Sequence, residues 1–129
     1  MAGNREQTRR NIAEIQPLLD EVVRVVCDHL NAEFLRLYLF GSWAEGRALS
    51  VSDLDIALDT GGPIELAMMQ RISDALDELP TLRRVDVVDL HAVDRKFRNQ
   101  VVQRGVFLSY SGGPASLKPR PSVDREHPR

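Results

Sequence analysis

Apolar residues recur at three- and four-residue steps in three stretches of the chain, which is the pattern of amphipathic helices. We predict helices over residues 5–31, 64–79 and 92–104, the last with Gly105 as its C-cap. Pro17 lies inside the first stretch and supplies no backbone N–H, so we expect it to kink that helix or divide it in two.

Shorter apolar or alternating segments lie between these helices and predict β-strands. They cover residues 34–40 (FLRLYLF), 53–59 (DLDIALD) and 83–90 (RRVDVVDL), with a short extended segment at 106–109. The order of elements indicates an α/β (α+β) fold with a mixed sheet of three to four strands packed with helices. The short connection between the first two strands allows antiparallel pairing, or parallel pairing if residues 42–47 act as a minimal crossover.

The length of the chain, 129 residues, suits a single domain with a core of its own. We assign residues 1–111 to this domain. Residues 112–129 carry four of the seven prolines and almost no large apolar side chain, so we predict a disordered Pro-rich tail there.

Charge and cysteine content limit the setting in which the protein works. A net charge of −2 argues against binding nucleic acid by bulk electrostatics. The single cysteine, Cys27, lies in an apolar run and has no partner for an internal disulfide, which is typical of a reducing compartment. No apolar stretch is long enough to span a bilayer, and the polar N-terminus leads into no signal sequence. We therefore expect a cytoplasmic protein with no membrane contact and no direct nucleic-acid partner.

The second predicted strand carries two aspartates on one face. Asp53 and Asp55 alternate with the apolar residues of the strand, so their side chains share the opposite face. Paired carboxylates of this kind bind hard divalent cations. Asp86 and Asp89 on the third strand compete as a third acid, and the interior position favours Asp86, which would ligate metal or accept a proton from an attacking hydroxyl. Taken alone, Asp53 and Asp55 are equally consistent with a solvated strand end that binds nothing.

Gly41 and Ser42 follow the first predicted strand. Glycine lets the backbone approach a ligand closely, and serine is a favourable N-cap for a short helix. The N-terminus of that helix would present free N–H groups and a partial positive charge to phosphate. A Gly-Ser pair alone marks an ordinary strand-to-helix turn, but an Asp-x-Asp pair after ten further residues indicates nucleotide chemistry.

The run Gly41-Ser42, ten intervening residues and Asp53-Leu54-Asp55 resembles the GS-x10-DxD motif of the DNA polymerase β-like nucleotidyltransferase superfamily. With "RVDVVDL" and "QRGVFLSY" further along, residues 34–110 are similar to its minimal nucleotidyltransferase (MNT) branch. The resemblance implies that the domain has the nucleotidyltransferase fold. In prokaryotes such proteins commonly act as antitoxins beside a helical HEPN-domain RNase.

The resemblance also implies a role for each motif residue. Gly41 and Ser42 would bind the triphosphate, Asp53 and Asp55 would hold two Mg²⁺ ions, and Asp86 would complete the triad. The family reaction is attack by a hydroxyl on the α-phosphate of a nucleoside triphosphate, with release of pyrophosphate. We therefore expect a Mg²⁺-dependent nucleotidyltransferase that transfers AMP from ATP to a tyrosine hydroxyl of a partner HEPN toxin.

The turn after the Gly-Ser pair departs from the family pattern. Many relatives carry basic residues where this chain has Trp43 and Glu45, and Arg47 is the candidate that would restore the positive charge and bind the nucleotide. Two alternatives to the enzymatic antitoxin remain. One is a binding-only antitoxin that neutralises its toxin by occlusion, and the other is a small-molecule nucleotidyltransferase.

Overall fold

The computed structural model describes the backbone of residues 2–30 and 34–110, and the side chains of residues 12–30 and 34–108. The predicted tail at residues 112–129 lies outside the described residues. In chain order, the elements are α1 (Ala2–His29), β1 (Arg36–Phe40), β2 (Leu54–Asp59), α2 (Leu66–Asp77), β3 (Val85–Asp89), α3 (Arg95–Arg104) and β4 (Val106–Tyr110).

The four strands form one mixed sheet in the order β3-β2-β1-β4. β1 pairs antiparallel with β2 and with β4, and β2 pairs parallel with β3. The pairing of the first two strands, which the sequence left open, is therefore antiparallel, as a short connection permits, and α2 provides the crossover between the parallel strands. The predicted fold class, a mixed sheet packed with helices, is confirmed.

The two faces of the sheet carry different apolar clusters. The larger one lies under α1 and α2, and β2 contributes its alternating apolar side chains to it: Leu54, Ile56 and Leu58. The smaller one lies under α3 and includes Ala57, Val101 and Phe97. Because side chains alternate along a strand, Asp55 shares the α3 face with Ala57.

α1 is one continuous helix that contains Pro17, so of the two predicted outcomes, a kink or a division of the helix, the division is wrong. Pro17 itself is exposed, whereas Ile15 and Leu19 on either side of it are buried in the larger core. A proline inside a helix costs about 3 kcal/mol, and this packing offsets that cost. No helix in the described part of the chain combines the length and the apolar character that a membrane span requires.

α3 begins later than predicted and ends as predicted. Its N-cap is Asp94, whose side chain accepts a hydrogen bond from Phe97 N at 2.8 Å. At the C-terminal end, the N–H of Gly105 donates to Val101 O at 2.7 Å. A Cβ at position 105 would lie 2.5 Å from Val101 O and 2.9 Å from Leu39 O. Glycine therefore lets the chain pass directly from α3 into β4 against β1.

Candidate active site

β1 ends in a sharp turn at which Gly41 adopts a positive φ of 80°. A Cβ at this position would overlap the Oδ2 atom of Asp55 on the neighbouring strand. Glycine alone tolerates both the left-handed backbone and this close approach. The turn and the aspartate strand are thus packed against each other as one structural unit.

The residues after Gly41 form a single turn over residues 42–46, in agreement with the short helical turn that the sequence predicts over residues 42–47. Glu45 N donates to Gly41 O at 3.1 Å, and Arg47 N donates to Ser42 O at 2.9 Å. Gly46, with a φ of 76°, redirects the backbone before a second turn can form. The first N–H groups of such a turn have no earlier carbonyl within it to donate to, so they remain suited to an anion.

Trp43 anchors the connection between this turn and the aspartates. Its side chain is 2% exposed within the larger core, and its Nε1 donates to Ser52 O at 3.0 Å. The hydroxyl of Ser52 accepts from Leu49 N at 2.8 Å, which closes the connection immediately before Asp53. Trp43 is therefore a core residue in this structure rather than a surface on which a base could stack.

Asp53, Asp55 and Asp86 form what we call the carboxylate cluster. Asp55 is the register partner of Asp86 across the parallel strands and of Phe40 across the antiparallel strands. Asp53 lies one residue before β2 and is exposed. Burial raises the pKa of Asp55, and the negative charges of Asp86 and Asp53 raise it further. The three acids therefore share one electrostatic environment.

β3 places its two aspartates on opposite faces of the sheet. Asp89 is 5% exposed, and its carboxylate accepts hydrogen bonds from the backbone N–H groups of Ile64 (2.8 Å) and His91 (2.9 Å). Asp86 lies on the α3 face, where Arg84 Nε donates to its Oδ1 at 2.9 Å. Asp89 is thus a structural acceptor, and Asp86 is the acid that the register brings to the cluster.

Arg47, the predicted nucleotide ligand, is paired with Glu45. Its Nε and Nη2 atoms donate to the same Oε1 of Glu45 at 3.1 and 2.9 Å. Both side chains are exposed, and exposed ion pairs are weak. The sequence could have indicated this pairing, because the two residues have opposite charges and lie on the same tight turn. Arg47 makes no ion pair with Asp53, Asp55 or Asp86.

A cavity of about 270 Å³ lies between the Gly41 turn and α3. Its apolar lining includes Phe40 and Phe97, whose rings meet edge to face with centroids 5.5 Å apart. Gln100 and Arg104 supply polar groups from the outer part of α3. These residues are not evident as site residues from the sequence, because no local motif shows that α3 folds back over β1.

Within the described ranges, no three His, Cys, Asp or Glu side chains are arranged as a complete metal site. The carboxylate cluster nevertheless supplies hard oxygen donors. Among the described side chains, Arg84 is the one cation that forms an ion pair with any of its members, so the cluster keeps an excess of negative charge. Mg²⁺ prefers donors of this kind. The donor chemistry of the cluster therefore fits the predicted ion, although Asp86 is paired with Arg84.

A mixed sheet with a Gly-Ser turn packed against paired carboxylates places the protein in the class of nucleotidyltransferase folds. The family model described as "Polymerase beta, Nucleotidyltransferase" matches residues 23–111. The chain belongs to this family, and the resemblance inferred from the GS-x10-DxD motif is confirmed.

Individual relatives agree with this assignment. The chain is 29% identical over 77 residues, 60% of its own length and 67% of the relative's, to a Haemophilus influenzae protein named "Probable protein adenylyltransferase MntA". A toxin–antitoxin crystal structure with AMP-PNP superposes with a TM-score of 0.55 at 27% identity, over 70% of this chain and 72% of that chain. A complex of tri-AMPylated Shewanella oneidensis HEPN toxin with MNT antitoxin also gives 0.55, at 23% identity over 87% and 77%, which shows the shared fold.

Proposed function

We propose that this protein is a Mg²⁺-dependent nucleotidyltransferase that transfers AMP from ATP to a tyrosine hydroxyl of a HEPN-domain toxin, and that it thereby acts as the antitoxin. The observation that carries the proposal is the approach of Gly41 to Asp55, which leaves no room for a side chain between them. A phosphate-binding turn and a metal-binding strand in such contact bring both subsites of a bound nucleoside triphosphate together.

Each part of the site has a distinct task in this proposal. The backbone N–H groups at Gly41 and Ser42 bind oxygens of the triphosphate. Asp53, Asp55 and Asp86 would hold Mg²⁺, two ions by analogy with the family, which when bound neutralises phosphate charge and stabilises the departing pyrophosphate. The cavity beside α3 takes part of the nucleotide, and Arg104 on its wall supplies a cation. Arg47 supplies a second cation to the nucleotide when it leaves its exposed partner Glu45.

The transfer itself exchanges one phosphorus–oxygen bond for another. The acceptor oxygen bonds to the α-phosphorus, the bond from that phosphorus to the bridging oxygen breaks, and pyrophosphate leaves with the electron pair. The proton of the hydroxyl must go to a base within reach. Asp86 has two possible roles beside Asp55, as the base that accepts this proton or as a ligand of the metal.

We infer the toxin partner from relatives of this protein, and we infer the cellular compartment from Cys27. The related MntA protein is named a protein adenylyltransferase, and an MNT antitoxin of the same fold is found with a HEPN toxin. Cys27 is a free thiol whose pKa is raised by burial, so it is kept in its neutral form. A half-buried neutral thiol suits the reducing cytoplasm, where we propose that the reaction takes place.

Two contacts favour a second candidate, a binding-only antitoxin that occludes its toxin. Arg84 is paired with Asp86, and Glu45 adds negative charge beside the phosphate turn while it binds Arg47. Both contacts oppose the binding of metal and triphosphate unless they rearrange. Binding-only neutralisation needs neither rearrangement.

The test combines the purified protein, Mg²⁺, ATP labelled at the α-phosphate and the HEPN protein encoded by the neighbouring gene. We expect label on the partner, and we expect it to disappear in the variant Asp53→Ala/Asp55→Ala while the two proteins still co-purify. Absence of label from the unsubstituted protein, with co-purification intact, would replace the enzymatic proposal by the binding-only one. Tyrosine is checked by mapping the labelled residue with mass spectrometry.

A further inference from the structure

Arg84 is fixed to the carboxylate cluster by its backbone and not by packing of its side chain. Its carbonyl oxygen accepts from Leu54 N at 2.8 Å, at the residue that separates Asp53 from Asp55. The Arg84 side chain is 71% exposed, and the side chain of Asp86, to which it donates, is 41% exposed. Arg84 thus has a rigid attachment point and a side chain that is free to change partner.

Neighbouring arginines do not share this position. Arg83 points to the other face of the sheet, where its guanidinium lies 5.5 Å from the Trp43 ring and its Nε is buried. Arg47 pairs with Glu45 on the Gly41 turn, and neither Asp53, Asp55 nor Asp86 is its ion-pair partner. Among the described side chains, Arg84 is therefore the cation placed to neutralise the cluster before a metal binds.

We propose that Arg84 is a counterion with two positions: it pairs with Asp86 in the metal-free protein, and it moves to a phosphate of the bound nucleotide when metal takes Asp86. This inference rests on the proposed function, since it requires that the cluster binds metal and nucleotide. Exposed ion pairs are weak, so a divalent cation can displace the guanidinium. The planar guanidinium then matches phosphate oxygens better than an ammonium group would.

The two positions have opposite effects on two ligands. In the metal-free protein, Arg84 competes with metal for Asp86 and reduces the negative potential of the cluster, so it weakens metal binding. In the loaded protein, it adds a charge-assisted hydrogen bond to phosphate, so it strengthens nucleotide binding. A residue that only maintained the fold would change both affinities in the same direction.

The experiment uses the full chain with Arg84→Gln, Arg84→Lys and a matched control, Arg95→Gln, which removes the same charge from an exposed position at the start of α3. The first measurement is a Mg²⁺ titration without nucleotide. Binding is measured by calorimetry and by the shift in the midpoint of thermal unfolding. We expect Arg84→Gln to bind Mg²⁺ about two- to fivefold more tightly, the range of an exposed ion pair, and Arg95→Gln to match the parent.

The second measurement is the affinity for AMP-PNP at saturating Mg²⁺. We expect Arg84→Gln to bind the analogue about tenfold more weakly, the size of one charge-assisted hydrogen bond, with Arg84→Lys between the two. Affinities that both fall, or that both stay unchanged, would overturn the two-position proposal. Neither titration contains an acceptor protein, so opposite shifts in the two affinities without AMP transfer would overturn the proposed reaction and leave the role of Arg84 standing.

Discussion

The parallel strands β2 and β3 carry aspartates at both of their ends. The aspartates at the two ends differ in how many hydrogen-bond and ion-pair partners their side chains have. At one end, Asp89 accepts two backbone hydrogen bonds, while Asp59 Oδ1 accepts from Gly61 N at 2.9 Å and lies 2.9 Å from His91 Nε2. These acids have defined partners, and they attach the loops after β2 and β3 to the sheet.

At the other end, the acids of the carboxylate cluster lie beside one another with few partners. Among the described residues, neither Asp53 nor Asp55 has a hydrogen-bond or ion-pair partner for its side chain, and Asp86 has one exposed partner, Arg84. Burial and the neighbouring charges raise the pKa of Asp55. Acids with complete partners stabilise a fold, whereas acids held together without them are available to a ligand.

The largest effect is expected when the cluster loses one charge. Asp86→Asn keeps the side-chain shape, and we expect AMP transfer to fall about 10²–10³-fold, the usual loss for one preorganised electrostatic group. The midpoint of thermal unfolding should change little, because Asp86 is partly exposed. Transfer of label from ATP to the partner and thermal scans measure the two quantities. A loss in transfer smaller than about tenfold would place Asp86 outside the reaction.

Asp89→Ala, at the other end of the same strand, is expected to lower stability rather than activity. It leaves the backbone N–H groups of Ile64 and His91 without their acceptor in a buried environment. We expect the free energy of unfolding to fall by about 3 kcal/mol, as measured by urea denaturation. The transfer rate per folded molecule should match that of the parent protein. An Asp89→Ala protein that is fully stable but inactive would reverse the roles assigned to the two aspartates.

Alanine substitutions at two glycines compare the two ends of the strands, because both glycines have the same left-handed backbone conformation. Gly41 and Gly61 have φ values of +80° and +84°, so alanine at either position costs about 1–2 kcal/mol. A Cβ at position 61 would meet the Phe34 ring at 3.4 Å, an ordinary contact, whereas at position 41 it would overlap Asp55. We expect Gly41→Ala to lose at least as much stability in urea as Gly61→Ala, and we expect a loss of AMP transfer in Gly41→Ala only. Equal transfer in both variants would show that the close approach to Asp55 is not required.

The smallest expected effect is a gain in stability. The folded protein raises the pKa of Asp55, so it disfavours the ionised carboxylate relative to the unfolded chain. Asp55→Asn should therefore raise the thermal midpoint of the metal-free protein by a few degrees at neutral pH. The gain should shrink as the pH falls through the raised pKa and vanish below the ordinary value of about 3.9. Thermal scans in EDTA over this range provide the check, and a midpoint lowered at neutral pH would contradict it.

The motif residues could be predicted because their signals are local. Gly41, Ser42, Asp53 and Asp55 lie within one short segment, and strand alternation alone assigns the two aspartates to one face. The same alternation separates Asp86 from Asp89, and the structure places them on opposite faces. The order and type of the elements also follow from periodicity, with differences of a few residues at their ends.

The remaining features depend on contacts between distant segments. The continuity of α1 through Pro17 follows from burial of Ile15 and Leu19, which no local propensity contains. The position of α3 beside the Gly41 turn depends on how β4 pairs with β1. Sequence alone therefore predicts which acids belong together, but not the cavity beside them.

The position of Trp43 in the fold determines the tryptophan fluorescence of the protein. The chain contains one tryptophan, and its indole is buried, with its Nε1 donating to Ser52 O and the Arg83 guanidinium beside its ring. Tryptophan emission from this chain thus comes from a single site, in the connection that joins the Gly-Ser turn to the aspartates. Any ligand that shifts this connection changes the polarity around one fluorophore, so the protein carries its own reporter without a label.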